Sequence, residues 1–407
     1  MPDSAVEARD EAADARHPVA DDTAARDVVV YYREPVKAAL LRTAVLPLAE
    51  RWAAQGLAVH VERHWLHGPH LRLRLEGPPD QVVAAAGQGA RELRDRLAEH
   101  PSQTDLTDRQ LLDQAVEAGR AELIAPPYGP IVPDNTVRIE PVDRGPLRSL
   151  IGADGTALRD DLLRLGRPAL RAGADFLGAH GDSQQARLQL AVTALAAHAG
   201  AFPTGLAGGH WSFLSHLEDF LLHSDPDGRL RAAFEARWER AGDTVTELVG
   251  RVAGDSSNSR GGNSDAGGTG WEQPWAHWSA TAWQLTADRL AAGADLRGFP
   301  LEYRERAAAT GDAAVLERWD RDLRTRYSEF HRLLRRSDPE GRMFTQPDYL
   351  TYRACTNVLY RLLAVCDVLP LERYLAAYLL VRAVPALTGV DWRQQVQEVI
   401  DLQERAS

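Results

Sequence analysis

Leu57-Ala58-Val59-His60-Val61-Glu62-Arg63-His64-Trp65-Leu66-His67-Gly68-Pro69-His70-Leu71-Arg72-Leu73-Arg74-Leu75-Glu76-Gly77 is the most regular stretch of the chain. Val59, Val61 and Trp65 alternate with His60, Glu62 and His64, and beyond Gly68-Pro69 the alternation resumes as His70, Arg72 and Arg74 against Leu71, Leu73 and Leu75. A period of two places alternate side chains on opposite faces of a strand, so the stretch predicts an antiparallel hairpin turning at His67-Gly68-Pro69. Upstream, Val28-Val29-Val30-Tyr31-Tyr32 is β-branched and aromatic and predicts a buried strand, with structure starting at Asp27. A helix is expected over 35–54, ended by Gln55-Gly56, with further helices over 81–98 and 107–120 and a strand over 135–140.

Beyond Leu147 the periodicity becomes helical throughout. Helices are expected over 157–179, 184–199, 211–223, 229–252, 277–293, 313–336, 347–367, 370–387 and 391–405, and a Ser/Gly/Asn/Asp-rich stretch over 254–270 predicts a flexible loop. Residues 1–26 carry Ala, Asp, Glu and Arg without periodicity and read as a disordered leader. The fold class is therefore α+β: an α/β portion containing an antiparallel sheet over 27–146, then a predominantly helical portion over 147–407, packed as one unit.

Composition narrows the function. The 407 residues are 44% hydrophobic and 26% charged, which suits a packed globular chain and excludes collagen-like or wholly disordered classes. With 47 basic against 58 acidic side chains the net charge is −11, so non-specific nucleic-acid binding is not expected. No continuous apolar run is long enough for a membrane span, and no membrane partner is expected. Cys355 and Cys366 lie in one helical stretch about 16 Å apart along its axis, too far for a disulfide, which suits a reducing cytoplasm. No Gly-x-Ser-x-Gly, no Gly-x-x-x-x-Gly-Lys and no Gly-x-Gly-x-x-Gly is present, so serine-hydrolase, kinase and nucleotide-binding readings are set aside.

Three clusters could carry chemistry. On the hairpin, His70, Arg72 and Arg74 share one face while leucines take the other, and a row of cations on a rigid strand suits a carboxylate or another developing anion; a solvated face paired to glutamates is the plainer alternative. His64, His67 and His70 suggest a metal, but their spacing crosses the turn without a nearby cysteine or acidic pair, so no metal is assigned. In the second cluster, Gly208-Gly209 precedes a helix bearing His210, Ser212, Ser215 and His216, where free amides could meet an anion; an ordinary capped amphipathic helix explains the pattern as well. The third cluster, Tyr352 to Tyr360, contains Arg353 and Asn357 in an apolar helix that also carries Arg361, as structural anchors or substrate contacts.

The early strand, the His70-Leu71-Arg72-Leu73-Arg74 string, Asn357-Val358-Leu359-Tyr360 and Leu369-Pro370-Leu371-Glu372-Arg373-Tyr374 together resemble the C-terminal, elimination-type domain of lantibiotic dehydratases, which also occurs free-standing in thiopeptide-type bacteriocin biosynthesis. The resemblance implies a tailoring enzyme working on dehydroamino acids of a ribosomal precursor peptide with its leader. Either glutamate is eliminated from glutamylated Ser or Thr, or two dehydroalanines join in a formal (4+2) cycloaddition to a pyridine; a non-catalytic precursor-binding subunit is the third option. A glutamylating dehydratase subunit is a further conceivable partner, and neither reaction demands a cofactor. Under this resemblance His64, His70, Arg72, Arg74, His210 and His216 are the catalytic candidates, with Arg63, Trp65, Ser212, Ser215, Arg353 and Asn357 as substrate contacts. Elimination domains are expected to carry histidine four residues before the late asparagine, where this chain has Arg353, and arginine is no base at neutral pH. Ser212-Phe213-Leu214-Ser215-His216 is similar to the free-standing members, so the cycloaddition reading is preferred.

Overall fold

The computed structural model describes residues 23–260, 270–297, 300–320 and 322–406. Its α/β portion opens with strand β1 (Ala24–Tyr31), then α1 (Ala38–Leu40) and α2 (Leu46–Ala54), joined by the π-helical turn Leu41–Val45. Strands β2 (Ala58–His64) and β3 (His70–Gly77), helices α3 (Pro79–Glu99) and α4 (Asp108–Glu122), and strand β4 (Thr136–Pro141) complete it. The four strands form one antiparallel sheet in the order β2-β3-β1-β4, with His60 opposite Arg74, Glu62 opposite Arg72 and His64 opposite His70. The turn places His67 at φ 64° and Gly68 at φ 115°; at Gly68 any Cβ would be strained.

The period-two alternation is realised on both faces. Val28, Val30, Val59, Val61, Leu71, Leu73 and Leu75 fill one face at 0–1% exposure and share a core with Trp52 of α2 and Val82 and Leu93 of α3. Burying each such side chain stabilises the fold by roughly 1.5–3 kcal/mol. The polar residues take the other face, which turns toward the helices.

Those helices are α5 (Gly145–Leu165), α6 (Arg167–Ala179), α7 (Gln184–Gly200), α8 (Leu206–Ser224), α9 (Arg229–Arg260), α10 (Gln273–Ala291), α11 (Pro300–Ala309), α12 (Ala313–Trp319), α13 (Glu329–Ser337), α14 (Pro347–Val365), α15 (Pro370–Thr388) and α16 (Trp392–Ala406). Helix α7 is apolar almost all round and lies at the centre, packed by α8, α9, α10 and α15, while α5 and α14 lean on β2. One continuous cluster of buried side chains runs from Val28 to Val384 across both portions. The junction is also polar: Arg63 pairs with Asp367 at 2.6 Å, and Asp367 accepts the Lys37 backbone N–H at 2.7 Å. Burial, then the neighbouring Arg63, pushes the Lys37 amine down to about 7. No single helix among the described residues is long and apolar enough to cross a membrane.

The α+β architecture expected from the sequence is the one observed. Several boundaries differ. β1 starts at Ala24, inside the expected leader, because its backbone is paired to Gly77 there; residues 1–22 lie outside the described residues. The expected loop at 254–270 starts late, since α9 continues through Arg260, and 261–269 lie outside the described residues. The helix expected over 157–179 begins at Gly145 and divides at Gly166; that over 313–336 divides at 320–328, and α11 was not foreseen.

Candidate active site

The polar face of the hairpin is the densest group of titratable side chains. Arg74 is 4% exposed and closes a two-pronged pair with Asp27 of β1, 2.9 Å at each prong. Burial alone would raise Glu62, but Arg159 of α5 and the hydrogen bond from His60 (3.2 Å) overcome it and hold its carboxylate well below the usual range. Arg159 also meets Asp160, which Arg144 grips at 2.8 Å. Asp27 and Glu62 are thus both paired to arginine.

Beyond this network His64 is half-buried and His70 is 1% exposed, and burial keeps both rings neutral at pH 7. His70 stands with Nδ1 2.9 Å from the Gly68 carbonyl, so Nδ1 carries the proton and donates, leaving Nε2 to accept from Arg72 at 3.5 Å. His64 Nδ1 accepts the Leu66 backbone N–H at 3.1 Å, which leaves an Nε2–H donor. Burial, followed by the positive charges of Arg361 and Arg72, pushes His64 down to about 3; burial, then His64 and Arg72, does the same to His70. The two rings stack at 5.7 Å, with Tyr31 4.8 Å from His70 and Arg138 5.6 Å above Tyr31. Trp65 stacks on His64 at 5.5 Å and donates its indole N–H to Glu122, which Arg361 also approaches.

Helix α14 connects this cluster to α8. Arg353, Asn357 and Arg361 recur every four residues along one side of α14. Asn357 is exposed, and Arg353 is half-buried with no ion pair or side-chain hydrogen bond among the described residues. Beside them the Tyr360 hydroxyl and His216 Nδ1 are hydrogen-bonded at 2.9 Å. His216 keeps an open ring edge, yet desolvation, followed by the positive charge of Arg373, pushes it down to about 4. The surface between hairpin, α14 and α8 therefore offers N–H donors, neutral imidazoles and unpaired arginine, a set suited to orienting and hydrogen-bonding a polar peptide.

The sequence candidates divide accordingly. His64, His70, Arg72 and Trp65 meet on the hairpin; His216, Arg353 and Asn357 flank Tyr360 on the helices. Four others have different tasks from those their positions suggested. Arg74 is committed to Asp27, and Arg63 points to the opposite face, where it holds Asp367 and the Ala364 carbonyl. His210 is 1% exposed and donates to the Leu206 carbonyl at 2.8 Å, because the helical register turns it inward. Ser215 bonds His331 Nε2 at 3.0 Å, whose Nδ1 meets Ser328 at 2.7 Å, while Ser212 is half-buried one turn earlier.

The anion nest expected at Gly208-Gly209 is corrected as well. α8 starts at Leu206, so both glycines lie inside it and their amides are no free end. Gly209 is needed for packing: a Cβ there would fall 2.2 Å from the Ala199 carbonyl oxygen of α7. Glu62, Arg159, Tyr31, Tyr360 and Arg361 were missed as site residues. Arg159 gives no local signal, whereas Tyr360 closes the third cluster and Arg361 directly follows it. A groove of about 860 Å³ among α2, α6 and α10, which includes Arg167 and Trp271, is lined by none of the candidates. No group of three or more His, Cys, Asp or Glu placed to hold a metal ion exists among the described residues.

The class defined by this arrangement is an α+β fold whose small antiparallel sheet packs against a predominantly helical portion. Comparison with solved structures identifies proteins of that class. The pyridine synthase TbtD from thiomuracin biosynthesis superposes with a TM-score of 0.63 at 21% identity, covering 90% of this chain and 100% of that one. TsrL matches with a TM-score of 0.60 at 18% identity, covering 93% and 99%. No protein-family model and no curated protein matches the sequence.

Proposed function

We propose that the protein is a tailoring enzyme of thiopeptide-type biosynthesis that joins two dehydroalanines of a leader-bearing precursor into a six-membered nitrogen ring by formal (4+2) cycloaddition. The observation that carries this reading is the likeness in fold to the pyridine synthase over nine-tenths of the chain. The chemistry of the cleft supports it. Glu62 is tied to Arg159, and His64 and His70 are too weakly basic to hold a proton near neutrality. Such groups serve better as fixed donors and acceptors that align two alkenes and an amide than as a strong base. Within this reading His64 Nε2–H and Arg72 hydrogen-bond the reacting amide, His70 positions Arg72, and Trp65 walls the pocket.

The test is direct. Dehydrated precursor peptide is incubated with the protein and followed by mass spectrometry. Release of leader peptide together with loss of water supports the proposal. Loss of glutamate from a glutamylated precursor would replace it with elimination, and unchanged mass with peptide binding alone would replace it with a docking role. His64→Gln is expected to lower turnover at least tenfold while leaving the circular dichroism spectrum intact.

A further inference from the structure

Most arginines of the cleft have carboxylate partners; Arg373 on α15 has none. Its guanidinium carbon lies 4.1 Å from the Tyr360 ring centre and 5.3 Å from that of Tyr374. Tyr374 is stacked on Phe220 of α8 at 3.8 Å and 7°. No ion pair and no side-chain hydrogen bond reaches Arg373 among the described residues, and its Nε is buried without a partner. A stacked guanidinium keeps its N–H edge available, and that planar fork matches the two oxygens of a carboxylate or a charged amide oxygen.

The same phenol carries the second donor. His216 Nδ1 and the Tyr360 hydroxyl are hydrogen-bonded at 2.9 Å, and with the phenol as donor the neutral imidazole holds its proton on Nε2. His216 and Arg373 therefore flank one aromatic ring, one offering a single N–H and the other a fork. The charged groups acting on His216 are Arg373 from α15, Asp219 from its own helix and His331 from α13. Asp219 does not compete for Arg373, because Arg318 and Arg324 hold both of its oxygens.

We propose that Arg373 and His216, braced by Tyr360 and Tyr374, form an oxyanion subsite that binds a planar acyl oxygen of the peptide substrate, a carboxylate or the oxygen of an amide passing to its imidic form. The subsite rests on the peptide-tailoring reading above and adds a second anchoring point, separate from the hairpin donors. It gives the cleft two places to grip one peptide, which fixes orientation in a way a single cationic patch does not.

The full-length protein, with histidine ring carbons isotopically labelled, is titrated with sodium acetate and, in parallel, with acetamide, while the His216 resonance is followed by NMR. In the wild type acetate is expected to shift that resonance saturably; a response to acetamide alone would assign the subsite to neutral amides and overturn the anion assignment. In Arg373→Gln the acetate response should disappear, and His216 should titrate at higher pH than in the wild type because a neighbouring cation is gone. Arg373→Lys, which keeps the charge without the fork, should hold the titration near that of the wild type but weaken acetate binding. With dehydrated precursor, Arg373→Gln should raise KM at least fivefold. A His216 resonance indifferent to acetate in the folded wild type, or an Arg373→Gln protein matching it in both titration and KM, overturns the proposal. Acetate binding without any turnover of precursor would leave the subsite standing and refute the tailoring reading instead.

Discussion

Replacing Arg74 by methionine tests whether the hairpin's central arginine is structural. Its guanidinium and the Asp27 carboxylate are each 3–4% exposed and meet through two 2.9 Å hydrogen bonds. In Arg74→Met the Asp27 charge would stay buried, with only Arg72 Nε nearby at 3.4 Å. Removing one partner of a buried pair costs about 3–5 kcal/mol, whereas replacing both by apolar groups of similar volume is often near neutral. Arg74→Met should therefore lose about 3–5 kcal/mol, while Asp27→Leu combined with Arg74→Met should return to within about 1 kcal/mol of the wild type. Urea unfolding followed by tryptophan fluorescence, run as a double-mutant cycle, measures both. A single variant within about 1 kcal/mol of the wild type would refute the reasoning. So would a folded double variant without turnover, since Arg74 would then have to touch the substrate.

Acid should weaken the protein well before its carboxylates titrate. Burial holds His64, His70 and His198 near 3, so they stay neutral in the fold while the unfolded chain gains protons below its ordinary value of 6.5. Their contribution is present above about 6.5 and is lost as pH falls, at about 1.4 kcal/mol per pH unit for each fully buried ring; a urea midpoint constant between pH 7 and pH 5 contradicts this. Gly209→Ala forces a methyl against the α7 backbone and should cost about 2–3 kcal/mol, measured as a fall in the urea midpoint. Cys355 and Cys366 are fully buried, and burial raises both thiols, Cys355 to about 12. Neither should react with a chromogenic disulfide reagent until urea unfolds the chain; prompt colour in native protein would show an open thiol.

The sheet was legible because two strands carried their own alternation and the turn between them carried Gly68. Its order was not, since Asp27 meets Arg74 only once β1 lies beside β3, a pairing that a separation of 47 positions does not announce. A separation of 97 positions likewise hid Arg159, which reaches Glu62 from α5. Gly208-Gly209 was misread because glycine marks both free backbone and close packing, and only the Ala199 contact decides between them. His210 shows the limit of composition: it has the chemistry of a site residue, but the helix turns it to the core. His216, six residues on, is exposed, and its bond to Tyr360 of α14 has no signal in the local sequence. The hairpin row was likewise recognised as a row, but spacing could not tell that Arg74 closes on Asp27 through two hydrogen bonds while Arg72 reaches the same acid only through Nε at 3.4 Å.

The placement of the soft nucleophiles bears on what this chain can hold without harm. The sequence has two thiols and a single lysine, Lys37, and all three side chains are at 0% exposure. Dehydroalanine is a conjugate acceptor to which thiolates and free amines add, becoming alkylated. Under the proposed function, a host whose cysteine and lysine side chains are all sealed inside presents no such side chain for the alkenes of its substrate to capture.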